Sequence, residues 1–188
     1  MSRRKVVAPM LELESTLVVV VPEAEALVGS FRDLYDPVAA AGVPAHITVL
    51  YPFKSPDEVN ETVMGDLRGC FSRVEPFDFV LSTIQRFSGE VLYLAPKPAE
   101  PFRQLTLSAW NLSPETPPYR GRYPSVVPHL TVADHQRDAR LDEIAHEFKK
   151  AAEGKLPIHA RAKEVALLDT RSGRWEIRTV FGLGSGLS

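Results

Sequence analysis

Apolar and polar positions change period along the chain, and the changes mark its elements. Ser15 to Val21 (STLVVVV) is rich in β-branched residues and stopped by Pro22, which predicts a buried strand. Leu27, Phe31 and Leu34 then recur at helical spacing, predicting a helix over Glu23 to Tyr35 that stops before Pro37. His46 to Pro52 reads as the next strand. Ser55, Pro56 and Glu58 make a capping-box pattern with proline at the first helical position, and Val59, Val63, Leu67 and Phe71 give the following helix one apolar face. Phe77 to Phe87 and Glu90 to Ala95 are strands joined by a short Ser88-Gly89 connection. Residues 1–13 carry no period and read as a loose arm ahead of one domain, 14–188.

The same order then returns. Leu92 to Ala95 ends at Pro96 as the first strand ends at Pro22, and Phe102, Leu105, Ala109 and Trp110 mark a helix. The proline-rich loop PETPPYRGRYPSVVP leads to a strand from His129 to Ala133. Leu141, Ile144, Ala145, Phe148, Ala151 and Ala152 form the most strongly amphipathic helix, with Lys149 and Lys150 in its last turn and Gly154 beyond. Ile158 to Leu168 and Trp175 to Phe181 are strands joined through Ser172-Gly173. Landmarks recur at a period near 83, the separation of His46 and His129. The pattern predicts an α+β fold of two lobes related by an approximate two-fold.

Two of the predicted strands share one tetrapeptide form, His46-Ile47-Thr48-Val49 and His129-Leu130-Thr131-Val132. Alternation puts His and Thr on one strand face and the aliphatic pair on the other, so each lobe offers an imidazole beside a hydroxyl. These motifs, set in AHITVLYPF and VPHLTVA, resemble those of the 2H phosphoesterase superfamily, and within it the 2'-5' RNA ligase-like, cyclic phosphodiesterase group. The resemblance covers roughly Ser15 to Leu183. It implies a bilobal α+β fold with antiparallel sheets lining a central cleft, no metal, and His46, Thr48, His129 and Thr131 as catalytic residues. In-line opening of a phosphodiester needs a base for water and an acid for the leaving oxygen, and imidazole serves both near neutral pH. Threonine hydroxyls can donate to the phosphate oxygens. Near-identical motifs do not say which histidine is base and which is acid. The expected activity is metal-independent hydrolysis of 2',3'-cyclic phosphate ends, with reverse 2'-5' joining. Alternatives are another phosphodiester, such as an ADP-ribose cyclic phosphate or a 2'-5' oligonucleotide, or a binding module without turnover.

Composition bounds the partner. With 22 Lys+Arg against 24 Asp+Glu, the net charge of -2 argues against gripping long nucleic acid through counterion release. An RNA end or small phosphorylated nucleotide remains. The loop segment Tyr119-Arg120-Gly121-Arg122-Tyr123 suits phosphate contact and base stacking, and Tyr51 is a candidate at the cleft edge. Arg171 and Arg174 read as turn charges. Of the other histidines, His135 reads as a loop residue, His146 as a solvated helix position and His159 as structural. None has a partner at metal-ligand spacing, so no metal and no cofactor are expected. The single Cys70 lies at the edge of an apolar helix face and reads as a small buried hydrophobe. One cysteine and no long apolar run make a cytoplasmic monomer without membrane attachment the expectation. Proline is in excess, 16 residues, and clusters in the loop entering the second motif.

Overall fold

Thirteen regular elements make up the computed structural model, which describes residues 13–87 and 90–184. The expected arm up to residue 12 and the Ser88-Gly89 turn lie outside the described residues. In chain order the elements are β1 (Ser15–Val20), α1 (Pro22–Tyr35), the single turn α2 (Pro37–Ala40), β2 (His46–Leu50), α3 (Glu61–Phe71), β3 (Phe77–Phe87), β4 (Val91–Lys97), α4 (Glu100–Leu112), β5 (Leu130–Ala133), α5 (Asp138–Ala151), β6 (Ile158–Ala162), β7 (Glu164–Asp169) and β8 (Glu176–Gly182). Short 3-10 turns cover Pro56–Glu58 and Pro118–Gly121.

The strands form two antiparallel sheets, ordered β2-β1-β7-β8 and β5-β4-β3-β6. Each motif strand is an edge strand beside the strand that precedes its helix. The helices exchange sides: α1 packs against β5, and α4 packs against β2. An approximate two-fold therefore relates the lobes, with β2, β1, β7 and β8 of one sheet corresponding in order to β5, β4, β3 and β6 of the other. Aromatic edges tie helices to strands in the core: Phe102 meets Phe77 and Phe79 at 5.0 Å, and Phe31 meets Phe148 at 5.1 Å. Such pairs add about 0.5–1.5 kcal/mol beyond the area they bury.

Several expected boundaries move, each for a physical reason. The Ile158 to Leu168 run is two strands, because β6 pairs with β3 in one sheet while β7 pairs with β1 and β8 in the other. The capping-box pattern serves only the 3-10 turn, where the Ser55 N–H donates to the Glu58 carboxylate at 3.0 Å. Val59 leaves helical geometry to bury its side chain, and α3 starts afresh with the Asn60 side chain accepting from the Val63 N–H at 3.1 Å. On α1, Leu34 is 73% exposed, because the inward position one turn after Val28 is taken by Arg32, which is 2% exposed. β4 runs through Pro96 to Lys97, past its last pair with β5, Leu94–Leu130, and beside a register shift between Leu81 and Thr83. No helix among the described residues is long and apolar enough to cross a membrane.

Candidate active site

The two motif strands turn the same faces the same way. Ile47, Val49, Leu130 and Val132 are buried, while His46, Thr48, His129 and Thr131 are half-buried on the alternate face. His46 opposes Val20 and Thr48 opposes Val18 on β1, and Thr131 opposes Tyr93 on β4. Edge strands β2 and β5 approach one another, and the charge of His129 is felt at His46. The two motif strands thus come together between the lobes, although His129 itself sits one residue before the first paired residue of β5.

Each imidazole is held by the backbone two residues upstream. His46 Nδ1 lies 2.8 Å from the Pro44 carbonyl oxygen, and His129 Nδ1 lies 2.7 Å from that of Val127. A carbonyl only accepts, so Nδ1 carries the hydrogen in both rings and Nε2 carries the lone pair of the neutral form. Burial pushes His46 down to about 4, the buried Arg32 guanidinium adds to this, and the Pro44 carbonyl opposes it. Burial also lowers His129, where the Val127 carbonyl and the Asp134 carboxylate resist.

The proline-rich loop folds back onto the first lobe. The Tyr119 N–H donates to the Tyr51 carbonyl at 2.6 Å, which sets the Tyr119 hydroxyl beside Thr48. Burial holds the Tyr119 phenol up at about 12, so it stays a neutral hydroxyl. Tyr119 and Arg120 both have positive φ, 51° and 57°, ahead of Gly121 at 71°. Left-handed backbone costs a side-chain-bearing residue about 1–2 kcal/mol, and the loop contacts must offset it. Arg120 pairs with Glu14 at 3.1 Å, and Glu14 also accepts from the Tyr51 hydroxyl at 3.0 Å. Tyr51 packs edge-on against Trp175.

Of the residues expected at the cleft edge, the structure brings Tyr119 to the motif face and makes Tyr51 and Arg120 its anchors. Arg122 and Tyr123 are exposed, with Tyr123 touching the Tyr119 ring at 5.7 Å. His135 and His146 are exposed as expected. His159 is also exposed, in a groove of about 540 Å³ with Lys97, Asp78 and Arg161, because its β6 position faces away from the core. Arg171 is more than a turn charge, since it donates to the Pro56 carbonyl and approaches Asp169 at 3.7 Å. Cys70 is buried, and burial raises its thiol. No three His, Cys, Asp or Glu side chains group as metal ligands among the described residues.

Sequence reasoning missed the second lobe's aromatic wall. Phe87 and Tyr93 stack at 4.2 Å, and both present their rings to His129, at 4.9 and 5.4 Å. Alternate positions on two hairpin strands were the available signal. It also missed Arg32, Asp36 and Asp134, whose sequence context shows only a helix face and a turn.

Known proteins share this fold. Among solved structures, the Escherichia coli LigT complex with 3'-AMP superposes with a TM-score of 0.61 at 15% identity, over 90% of this chain and 97% of that one. A Thermus thermophilus protein superposes with a TM-score of 0.57 at 16% identity, over 93% and 100%. Both likenesses concern the fold. Proteins named "putative phosphoesterase" from Bacillus cytotoxicus and Bacillus licheniformis are 32% and 25% identical, over 82% and 85% of this chain and 87% and 91% of their own lengths. The profile of the 2'-5' RNA ligase superfamily matches residues 20–174, and with both motif strands inside that span the chain belongs to this superfamily of 2H phosphoesterases.

Proposed function

We propose that the protein hydrolyses 2',3'-cyclic phosphate ends of RNA or nucleotides without a metal, using His46 and His129 as base and acid and Thr48 and Thr131 as phosphate donors. The observation that carries this reading is the matched pair of Nδ1 contacts, 2.8 and 2.7 Å, one in each lobe. Both rings are thereby fixed with Nε2 as the working nitrogen. One neutral Nε2 accepts a proton from water as the water oxygen bonds to phosphorus. The bond from phosphorus to one ribose oxygen breaks, and the protonated Nε2 of the other ring gives that oxygen its proton. The product is a phosphomonoester beside a free hydroxyl. The Thr48 and Thr131 hydroxyls donate to the non-bridging oxygens, where charge is held in the transition state. With a 5'-hydroxyl end in place of water, the 5' oxygen gives its proton to the base and bonds to phosphorus while the bond to the ribose 3' oxygen breaks and that oxygen takes the acid's proton, so the same groups join two ends through a 2'-5' linkage.

The LigT structures with 3'-AMP, ATP and NADP+ support a nucleotide-sized ligand for this fold. We assign Phe87 and Tyr93 to the side of the cleft where a base can stack, and Tyr119, Arg122 and Tyr123 to the loop above the phosphate. The experiment is turnover of 2',3'-cyclic nucleotides and cyclic-phosphate-ended RNA in EDTA, followed by phosphorus NMR. We expect monoester product, with His46→Ala and His129→Ala each slower by about 10²–10⁴-fold. Absence of product with every cyclic or 2'-5'-linked substrate, or full activity in both variants, overturns the proposal.

A further inference from the structure

The faces that carry the two motifs differ beyond the motifs: one is closed and the other open. In the first sheet Thr48 lies opposite Val18, Val18 opposite Ala166 and Ala166 opposite Val180, so these residues share the motif face. Val18, Ala166 and Leu168 are buried in one cluster with Val43, against Val20 and Trp175. In the second sheet Thr131 lies opposite Tyr93, and Tyr93 opposite Gln85. Gln85 thus holds the position matching Ala166, yet it is exposed, and its side chain accepts from the Tyr93 hydroxyl at 2.8 Å. Past the aromatic pair the face stays open. Ser82 and Thr83 are exposed, and Ala95, opposite Thr83, adds only a methyl group.

This open face runs into the groove of about 540 Å³. Alternation along β4 puts Tyr93, Ala95 and Lys97 on one face, and across the sheet Lys97 lies opposite Val80 and Val80 opposite His159. The row reads ammonium, aliphatic floor, imidazole over three adjacent strands. Lys97 and His159 are both exposed, and two strand spacings set their backbones about 10 Å apart, a gap that two side chains leaning over Val80 can close around one phosphate. The next row is already satisfied. Arg161 Nη1 holds both Asp78 carboxylate oxygens at 2.9 Å, and Nη2 lies 3.5 Å from the Pro76 carbonyl oxygen. Lys97 pairs with no carboxylate among the described residues, and Glu23 of α1 stands at the groove wall.

Tyr93 and Lys97 are four residues apart on β4, about 13 Å along the strand. A nucleoside stacked on Tyr93 with its cyclic phosphate at Thr131 needs a further phosphate to engage Lys97, and an RNA chain carries one on its 5' side. We infer that the groove binds the RNA strand upstream of its cyclic end, Lys97 and His159 donating to a backbone phosphate above Val80 while Ala95, Thr83 and Ser82 floor the track from the aromatic pair. The inference rests on the cyclic-phosphate reading and names a polymer, rather than a free cyclic nucleotide, as the substrate. An ammonium and a ring N–H are both phosphate donors, and contacts to the backbone read no sequence. One unpaired cation over a short track also agrees with a net charge of -2, which leaves long nucleic acid ungripped.

The test compares kcat/KM for 2',3'-cyclic uridine monophosphate and for a uridine hexamer ending in the same cyclic phosphate. Wild type, Lys97→Gln/His159→Gln and Lys97→Arg/His159→Gln are assayed beside melting curves. We expect wild type to favour the hexamer by about tenfold, the worth of one phosphate held by a charged donor, and the first variant to lose most of that ratio at an unchanged Tm. The arginine variant, which keeps the cation, recovers part of it. Raising salt from 50 to 200 mM should cut the wild-type ratio about threefold, as one single-strand phosphate contact requires. Equal kcat/KM for the two substrates in wild type, or a wild-type ratio in the first variant, overturns the inference. If no cyclic substrate turns over, the cyclic-phosphate reading fails, and fluorescence anisotropy with a labelled hexamer ending in a 3'-phosphate decides this one. Tighter binding by wild type than by the first variant supports it, and equal binding overturns it.

Discussion

At the scale of single residues, the site depends on groups that hold the motif side chains as much as on the motif itself. A threonine hydroxyl rotates freely unless a neighbour steers it, and the Tyr119 hydroxyl is the neighbour of Thr48. Removing only the phenol oxygen leaves the ring packed against Tyr123 and the backbone bond to Tyr51 in place. Tyr119→Phe should therefore lower kcat by about 5- to 10-fold, the worth of one ordinary hydrogen bond, with little change in thermal stability. Steady-state kinetics on a cyclic nucleotide beside a melting curve checks this. A change in KM alone would mean that the hydroxyl only helps to bind. The two HxT motifs were legible because strand alternation is a local rule. The Pro44 and Val127 carbonyls that fix their tautomers were not, since any residue supplies a carbonyl. Arg32 was hidden for a related reason: a buried cation at a helix position is explained only by Asp36 and Val43, which the fold brings to it.

At the scale of elements, the helices and strands expected from periodicity are largely present, and their ends are where expectation and structure part. Ser55, Pro56 and Glu58 carry the textual signature of a helix start, yet the helix begins at Glu61 because burying Val59 outweighs continuing the turn. The cap that matters is the Asn60 side chain on the Val63 N–H. Asn60→Ala should cost about 1 kcal/mol and lower Tm by about 2–4 °C, whereas Glu58→Ala, at an exposed three-residue turn, should cost less than half as much. Calorimetry on the two variants decides between them, and the reverse order would restore the capping box as the start of α3. The division of Ile158 to Leu168 into β6 and β7 was likewise hidden. Both halves are strand-like, and only their partners, β3 for one and β1 with β8 for the other, place them in different sheets.

At the scale of the whole molecule, folding gathers two imidazoles out of water into one cleft, and that couples stability to pH. His46 is held near 4 in the folded chain against an ordinary value of 6.5. Between those limits the unfolded chain binds the proton and the folded chain does not, so stability rises with pH through that window and falls as the solution is acidified. The shift corresponds to about 3 kcal/mol at full extent, lost progressively from pH 6.5 to pH 4. His129 acts in the same direction, since its value is lowered too. Asp36 acts in the opposite sense, because burial raises it and the folded chain then binds its proton first. Comparing wild type with His46→Gln cancels the Asp36 contribution, which both share. Urea unfolding followed by tryptophan fluorescence should give the wild type its largest stability advantage near pH 7, with that advantage shrinking by about 3 kcal/mol by pH 4. Parallel curves would mean that His46 is not desolvated by the meeting of the lobes. An anion in the cleft would favour both protonated rings, so inorganic phosphate at pH 5 should flatten the wild-type slope and leave that of His46→Gln less changed.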